Sequence, residues 1–205
     1  MRERLTASRI VPLKVDEASR MNSNTDAQEM LDEVLDALAG DDWAATLDRL
    51  DAPVYLTDAE GLVTYWNRAC ADFAGRQPRL GRDRWCVTWK LFTTAGDPLP
   101  HDACPMAVAI KEQRAVRSAV AIAERPDGTR RAFTPYPTPL YDEAGKLKGA
   151  VNLLLDVSDE HGGELRAQAA RCRRLSKSVT DAQASRVLDD MAMGYERSAA
   201  SLSQG

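Results

Sequence analysis

Ala52-Pro53-Val54-Tyr55-Leu56-Thr57-Asp58-Ala59-Glu60-Gly61-Leu62-Val63-Thr64-Tyr65-Trp66-Asn67 opens the stretch that decides the fold, and Gly149-Ala150-Val151-Asn152-Leu153-Leu154-Leu155-Asp156-Val157-Ser158 closes it. The opening part predicts a hairpin. Two β-prone apolar runs, Val54–Thr57 and Leu62–Trp66, flank a polar turn at Glu60-Gly61, where glycine admits the positive φ of a tight turn. The closing part is a long apolar run between Gly149 and Asp156, the pattern of a strand in the middle of a sheet. Further strands are expected at Ser118–Glu124, Arg130–Leu140 and Lys148–Asp156, turned by Pro126-Asp127-Gly128 and Glu143-Ala144-Gly145.

Between the hairpin and these strands the pattern changes to short helices. Asn67–Gly75 predicts one helix closed by its glycine, and Pro105–Gln113 predicts another, with proline at a first helical position and Met106, Ala109 and Ile110 inward. Gly81–Trp89 is a bend with an aromatic-rich segment, and Thr93–Cys104 is loop-like because Gly96, Pro98 and Pro100 break any period. Pro135, Pro137 and Pro139 alternate within one strand. At period two their missing N–H groups lie on one side, so that strand is expected to pair with a single neighbour there, leaving a local gap in the sheet.

The flanks are helical. Met30, Leu31, Val34, Leu35 and Leu38 recur at helical spacing after a cap at Thr25 or Asp26, Gly40 ends that helix, and Trp43, Leu47 and Leu50 form a second short one. Such helices cover a sheet face or pair with a partner's copy, and the residues favour neither. Beyond Ser158, Leu165, Ala169, Cys172, Leu175 and Val179 form one stripe; Thr180-Asp181 offers a cap, and Ala184, Val187, Met191, Tyr195 and Leu202 resume it. One bent helix and two packed helices both satisfy that pattern. A lone amphipathic helix with so modest an apolar seam would be poorly stable, so a hairpin or a second subunit is expected. Arg166, Arg171, Arg173, Arg174 and Lys177 read as its solvated face. The expected organisation is a disordered terminus over 1–24, a helical flank over 25–50, a core domain over 51–158 and a helical tail over 159–205.

At 205 residues and 44% hydrophobic, the chain can bury one core plus helical extensions. A net charge of −4 and a pI near 5.3 argue against a nucleic-acid surface spread over the chain. No apolar run approaches a membrane span and no signal peptide opens the chain. Four cysteines, Cys70, Cys86, Cys104 and Cys172, lack metal-ligand pairing and read as free thiols of a cytoplasmic protein.

The order of strands and helices, with Pro53-Val54 through Asp58 and Gly61, Trp66-Asn67-Arg68, Arg125-Pro126-Asp127-Gly128-Thr129 and Gly145…Gly149…Asp156-Val157-Ser158, resembles a PAS domain over Leu50 to Ser158. Arg84-Trp85-Cys86-Val87 together with His101-Asp102-Ala103-Cys104-Pro105-Met106 is similar to PAS modules attached to bacterial sensor histidine kinases. The resemblance implies an α+β fold: a five-stranded antiparallel sheet with short helices enclosing a pocket on one face. Trp66, Phe73, Trp85, Cys86, Trp89, Met106 and Ile110 are the implied pocket candidates. It also implies sensing of a small molecule, light, redox state or a partner, relayed through flanking helices.

Asp159-Glu160-His161-Gly162-Gly163-Glu164-Leu165-Arg166 resembles a histidine-kinase phosphoacceptor segment, but two glycines break its spacing, no ATP-binding motif follows, and His161 is expected as an exposed linker residue. A flavin of the LOV branch is disfavoured, since Gly81-Arg82-Asp83-Arg84-Trp85-Cys86 departs from that branch's cysteine segment and Cys86 reads as a packed apolar residue. His101 and Cys104-Pro105 form a haem signature, or two of four zinc ligands, against a plainer reading in which Asp102 caps the helix and Cys104 packs. No catalytic constellation or phosphate loop is present, so the chain reads as a non-enzyme. The expectation is a stand-alone cytoplasmic PAS sensor or adaptor in bacterial signal transduction, with no cofactor as the leading reading. Its partners are a small ligand, a sensor kinase or other signalling protein, and a second copy through the flanking helices. The alternatives are a haem- or thiol-based redox sensor using His101 and Cys104, and a dimerisation module whose pocket is filled.

Overall fold

The structure, a computed structural model, describes residues 17–117 and 119–202, with side chains from Thr25 onward. The expected hairpin is present: β1 (Val54–Asp58) and β2 (Val63–Trp66) pair antiparallel. Asp58 Oδ1 accepts from Glu60 N at 3.1 Å and Leu62 N at 2.8 Å, so a carboxylate completes the turn that Gly61 enters at φ +83°. Then come α3 (Arg68–Ala74), β3 (Lys90–Phe92), a 3-10 turn (His101–Ala103), α4 (Pro105–Glu112), β4 (Ala121–Glu124), β5 (Arg130–Tyr141) and β6 (Leu147–Asp156). α1 (Glu17–Leu38) and α2 (Trp43–Leu47) precede the sheet; α5 (Ser158–Ser178) and α6 (Ala182–Leu202) follow it.

The sheet order is β2-β1-β6-β5-β4-β3, all antiparallel, with six strands where five were expected. The added strand is β3. Three residues are too short to show a period against the turn-forming surroundings, and only their pairing with Ile122–Glu124 makes them a strand. β4 likewise begins at Ala121, later than expected; Ser118 lies outside the described residues. α1 begins at Glu17 rather than at Thr25 or Asp26, so residues 17–24 are helical where disorder was expected; the rest of that expectation, residues 1–16, lies outside the described residues.

The prolines act as their spacing requires. β5 pairs with β4 only from Arg130 to Phe133, and with β6 along Phe133–Tyr141, which contains all three prolines. The gap on the proline side is filled by a strap: Val116 N donates to the Pro137 carbonyl at 3.3 Å, and Arg117 donates to the same oxygen and to Thr138 Oγ1, each at 3.0 Å. Gly149 sits inside β6, as the expected strand Lys148–Asp156 has it. A Cβ there would stand 1.9 Å from the Thr57 carbonyl, so close approach of β1 and β6 excludes any side chain.

Both flanks fold back on one face of the sheet. Leu31, Val34 and Leu47 pack on Val54, Tyr136, Val151 and Leu153, while Leu202, Leu165 and Val157 pack on Ile122 and Ala132. Full burial of side chains such as Leu31 and Val34, each 1% exposed, is worth about 1.5–3 kcal/mol apiece. The N-terminal seam is thus satisfied within the chain. The tail is a hairpin of two helices: Asp181 Oδ1 caps α6 by accepting from Gln183 N and Ala184 N, Arg173 pairs with Glu196 at 2.7 Å, and Ala169, Cys172 and Ala192 are buried between the helices.

Candidate functional site

The opposite face of the sheet carries the larger core. Tyr55, Ala121, Ala123, Phe133, Ala150 and Leu154 project from the strands toward Cys70 and Phe73 of α3 and Met106, Ala107 and Ile110 of α4. Phe73 and Phe133 meet edge to face at 5.4 Å. Asn67 fixes where α3 starts. Its Oδ1 accepts from Cys70 N at 3.1 Å and Val54 N at 3.0 Å, while its Nδ2 donates to the carbonyls of Leu47 at 3.0 Å and Ala52 at 2.9 Å. One buried amide thereby ties α2, β1 and α3 together.

Among the pocket candidates, Phe73, Cys86, Met106 and Ile110 lie in this core and Trp66 and Trp85 pack against it half-buried. Trp89 does not join them; it is 45% exposed, with Lys90 Nζ 4.1 Å from its ring centroid. The other candidates' side chains pack together between the sheet and the helices.

Trp85 connects this core to an external groove. Its φ of +67° is a left-handed conformation that a bulky residue adopts only when held there. The hold is Gly61: Trp85 N donates to Gly61 O at 2.7 Å, and the indole lies so close that a Cβ on Gly61 would stand 2.1 Å from it. This conformation turns the Trp85 carbonyl inward, where it accepts from Tyr55 Oη at 3.0 Å and from the Cys104 thiol at 3.7 Å. Tyr55 Oη in turn accepts from Asn152 Nδ2 at 3.0 Å. Burial raises the Tyr55 pKa well above its ordinary value, so the phenol remains a donor. Asn152 Oδ1 and Thr57 Oγ1, both on this face, have no hydrogen-bond partner among the described residues.

All four cysteines are free and buried. Cys86 and Cys104 interact beneath the groove. The neighbouring Cys104 thiol lowers the Cys86 pKa, outweighing burial, with His101 and Thr88 acting in the same direction; Thr88 Oγ1 is 3.1 Å from Cys86 Sγ. Cys86 in turn, together with burial, raises the Cys104 pKa. Cys104 precedes α4 in extended conformation, and neither it nor Asp102 caps the helix with a side chain; Asp102 offers its carbonyl to Lys111 instead. His101 lines the groove, and the Cys104 thiol is directed to the Trp85 carbonyl. With Tyr55, Met106 and Leu154 occupying the core around Cys104, this pair does not fit haem, and no group of three or more His, Cys, Asp or Glu suited to a metal forms among the described residues.

The groove has a volume of about 710 Å³. Arg76, Arg79, Arg82 and Arg84 line it with Trp85, Trp89 and His101, against Asp83 and Asp102. Asp83 is shared between Arg76 and Arg79 and also accepts from Arg79 N at 3.0 Å. Partial burial raises its pKa, but these hydrogen bonds and the Arg76 and Arg79 charges prevail and hold it below the ordinary value. Sequence reasoning missed this cluster, although Arg76, Arg79, Arg82 and Arg84 crowd nine positions of an acidic chain. It also missed Asn152, a polar residue at the centre of an otherwise apolar strand. His161 is corrected as well. It is 5% exposed within an unbroken α5 that includes Gly162 and Gly163, because the first turn of α5 is pinned to the sheet, Ser158 Oγ accepting from Ala132 N at 3.0 Å.

A family model described as the PAS fold matches residues 47–162. No curated protein matches the chain. Among solved structures, the LOV protein of Rhodobacter sphaeroides is similar at 17% identity and a TM-score of 0.46, covering 85% of this chain and 94% of that one. An RNA-binding light-oxygen-voltage receptor is similar at 19% identity and a TM-score of 0.45, covering 75% of this chain; the match spans 36% of the receptor's length. The LOV domain of a blue-light-activated histidine kinase from Erythrobacter litoralis is similar at 23% identity and a TM-score of 0.42, covering 53% of this chain and 98% of that domain. With the family match extending over more than half its length, and a six-stranded antiparallel sheet bearing short helices on one face, the chain belongs to the PAS family.

Proposed function

We propose that this protein is a sensor or adaptor of bacterial signal transduction that works by binding rather than catalysis, in the cytoplasm, with the external groove as its input and the α5–α6 hairpin as its output. The observation that carries this reading is the chain Trp85 O, Tyr55 Oη, Asn152 Nδ2. It leads from the groove wall through β1 to β6, and β6 runs directly into α5. A ligand that draws Trp85 out of its left-handed conformation removes the acceptor of the Tyr55 hydroxyl, which frees Asn152 and biases β6 and the start of α5. The signal is a local change in hydrogen bonding, read out as hairpin position.

At the output end Leu175, Val179, Val187 and Met191 are 37% to 51% exposed. These apolar side chains suit a second copy of the hairpin, giving a homodimer, and the same surface is where a sensor kinase or other signalling protein would compete. The relay is tested with Tyr55→Phe, which deletes the hydroxyl and leaves both neighbours without it. Amide hydrogen exchange in the first turns of α5 should accelerate about tenfold, with β4 unchanged. An effect confined to residues touching Tyr55 would sink the relay. Light scattering at micromolar concentration tests the dimer, which a purely monomeric protein excludes.

A further inference from the structure

We infer that the external groove is a binding site for a small organic oxyanion carrying a planar ring; the inference names the ligand class for the input site proposed above. Four guanidinium groups face two carboxylates there, in a chain whose net charge is −4. One of those carboxylates, Asp83, is already divided between Arg76 and Arg79. Arg82 and Arg84 are exposed and have no ion-pair partner among the described residues; Arg84 lies 5.8 Å from the Trp85 ring centroid. Lys111 approaches the same ring at 5.4 Å, adding a further cation beside the groove.

Positive charge concentrated in a concave, partly desolvated site attracts anions over distances comparable with the Debye length and binds them through charge-assisted hydrogen bonds. Guanidinium forks suit the paired oxygens of phosphate and carboxylate alike. The fixed pair within the wall matters as much as the free ones. Asp83 holds Arg76 against the carbonyls of Val87 at 2.9 Å and Thr88 at 3.4 Å, so the floor is preorganised before a ligand arrives. Trp89 supplies the second requirement. An exposed indole in a charged groove, with Lys90 already on its ring, offers a stacking surface for a flat electron-poor or aromatic group. A groove of about 710 Å³ accommodates a ligand of that size without opening the core.

The test uses the full chain and three probes: adenosine monophosphate, phthalate and neutral adenosine, titrated by calorimetry at about 150 mM salt. Binding of either oxyanion with a Kd below about 1 mM, at least tenfold tighter than adenosine, is expected, and the stronger of the two identifies the oxyanion as phosphate or carboxylate. The Arg82→Ala/Arg84→Ala double variant, whose exposed side chains make no ion pair among the described residues, should weaken that binding at least tenfold while melting like wild type, and Trp89→Ala should weaken it several-fold. Equal affinity for adenosine, unchanged affinity in the double arginine variant, or no binding of either oxyanion overturns the inference. Because these readouts are affinities, they are separable from the relay: oxyanion binding with no change in α5 exchange keeps the site and refutes the proposed route of the signal.

Discussion

Replacing Asn67 by alanine isolates the residue on which the entry to the core depends. The side chain is fully buried and makes hydrogen bonds to two main-chain N–H groups and to the carbonyls of Leu47 and Ala52. Cys70 N keeps a second acceptor, the Asn67 carbonyl at 3.0 Å, so its loss is partial. The amide N–H of Val54 and the Ala52 carbonyl lose this partner outright, while the Leu47 carbonyl keeps the Leu50 N–H at 3.2 Å and loses one of two. At roughly 1 kcal/mol for each outright loss and about half that for each partial one, the change should cost about 3 kcal/mol. That is a large part of the roughly 5–15 kcal/mol by which a domain is stable, and corresponds to a fall in Tm of about 6–12 °C. Urea unfolding followed by circular dichroism measures it. Asn67→Asp provides the comparison: it preserves shape and acceptor, removes both donors and directs an ionised oxygen at two carbonyls. It should therefore be at least as damaging at pH 7 and recover part of the loss near pH 4. A cost below about 1 kcal/mol for Asn67→Ala would refute the claim that this amide holds α2, β1 and α3 in register.

Gly61→Ala should displace the Trp85 indole, because the new methyl would stand 2.1 Å from the ring at a backbone φ of +83°; a loss of about 2–4 kcal/mol with a red-shifted tryptophan emission is expected, and an unshifted spectrum argues against the packing. Asp83 has a folded pKa below its unfolded value, so its contribution is present above the unfolded carboxylate range and is lost as pH falls through the folded pKa. The stability gap between wild type and Asp83→Asn in urea should accordingly be wide at pH 7 and close toward pH 3; a constant gap contradicts the pairing with Arg76 and Arg79. For His161, burial lowers the pKa despite Glu164 at 3.6 Å, so the neutral ring is favoured. The associated stability is complete above about pH 6.5 and declines on acidification below it, a decline that His161→Gln should remove from thermal melts between pH 7 and pH 5.

The sequence by itself determined whatever depends on near neighbours along the chain. The hairpin turn at Glu60-Gly61, the proline start of α4, the cap at Asp181 and the one-sided pairing of β5 all follow from local backbone chemistry. Pro135, Pro137 and Pro139 show how far such reasoning reaches: lacking N–H groups, they restricted a tertiary pairing without reference to the partner. The core positions of Met106 and Ile110 were legible for the same reason, since helical period sets a face. Tertiary structure alone decided which surfaces meet. It made Lys90–Phe92 a strand by giving it β4, buried His161 by anchoring α5 to the sheet, and laid both helical flanks on one face of that sheet. It also turned the Cys104 thiol toward the Trp85 carbonyl, a partner nineteen positions away in sequence. Trp85 itself, with its left-handed backbone, is intelligible only beside Gly61, because a local steric cost can be met only by contacts from elsewhere in the chain.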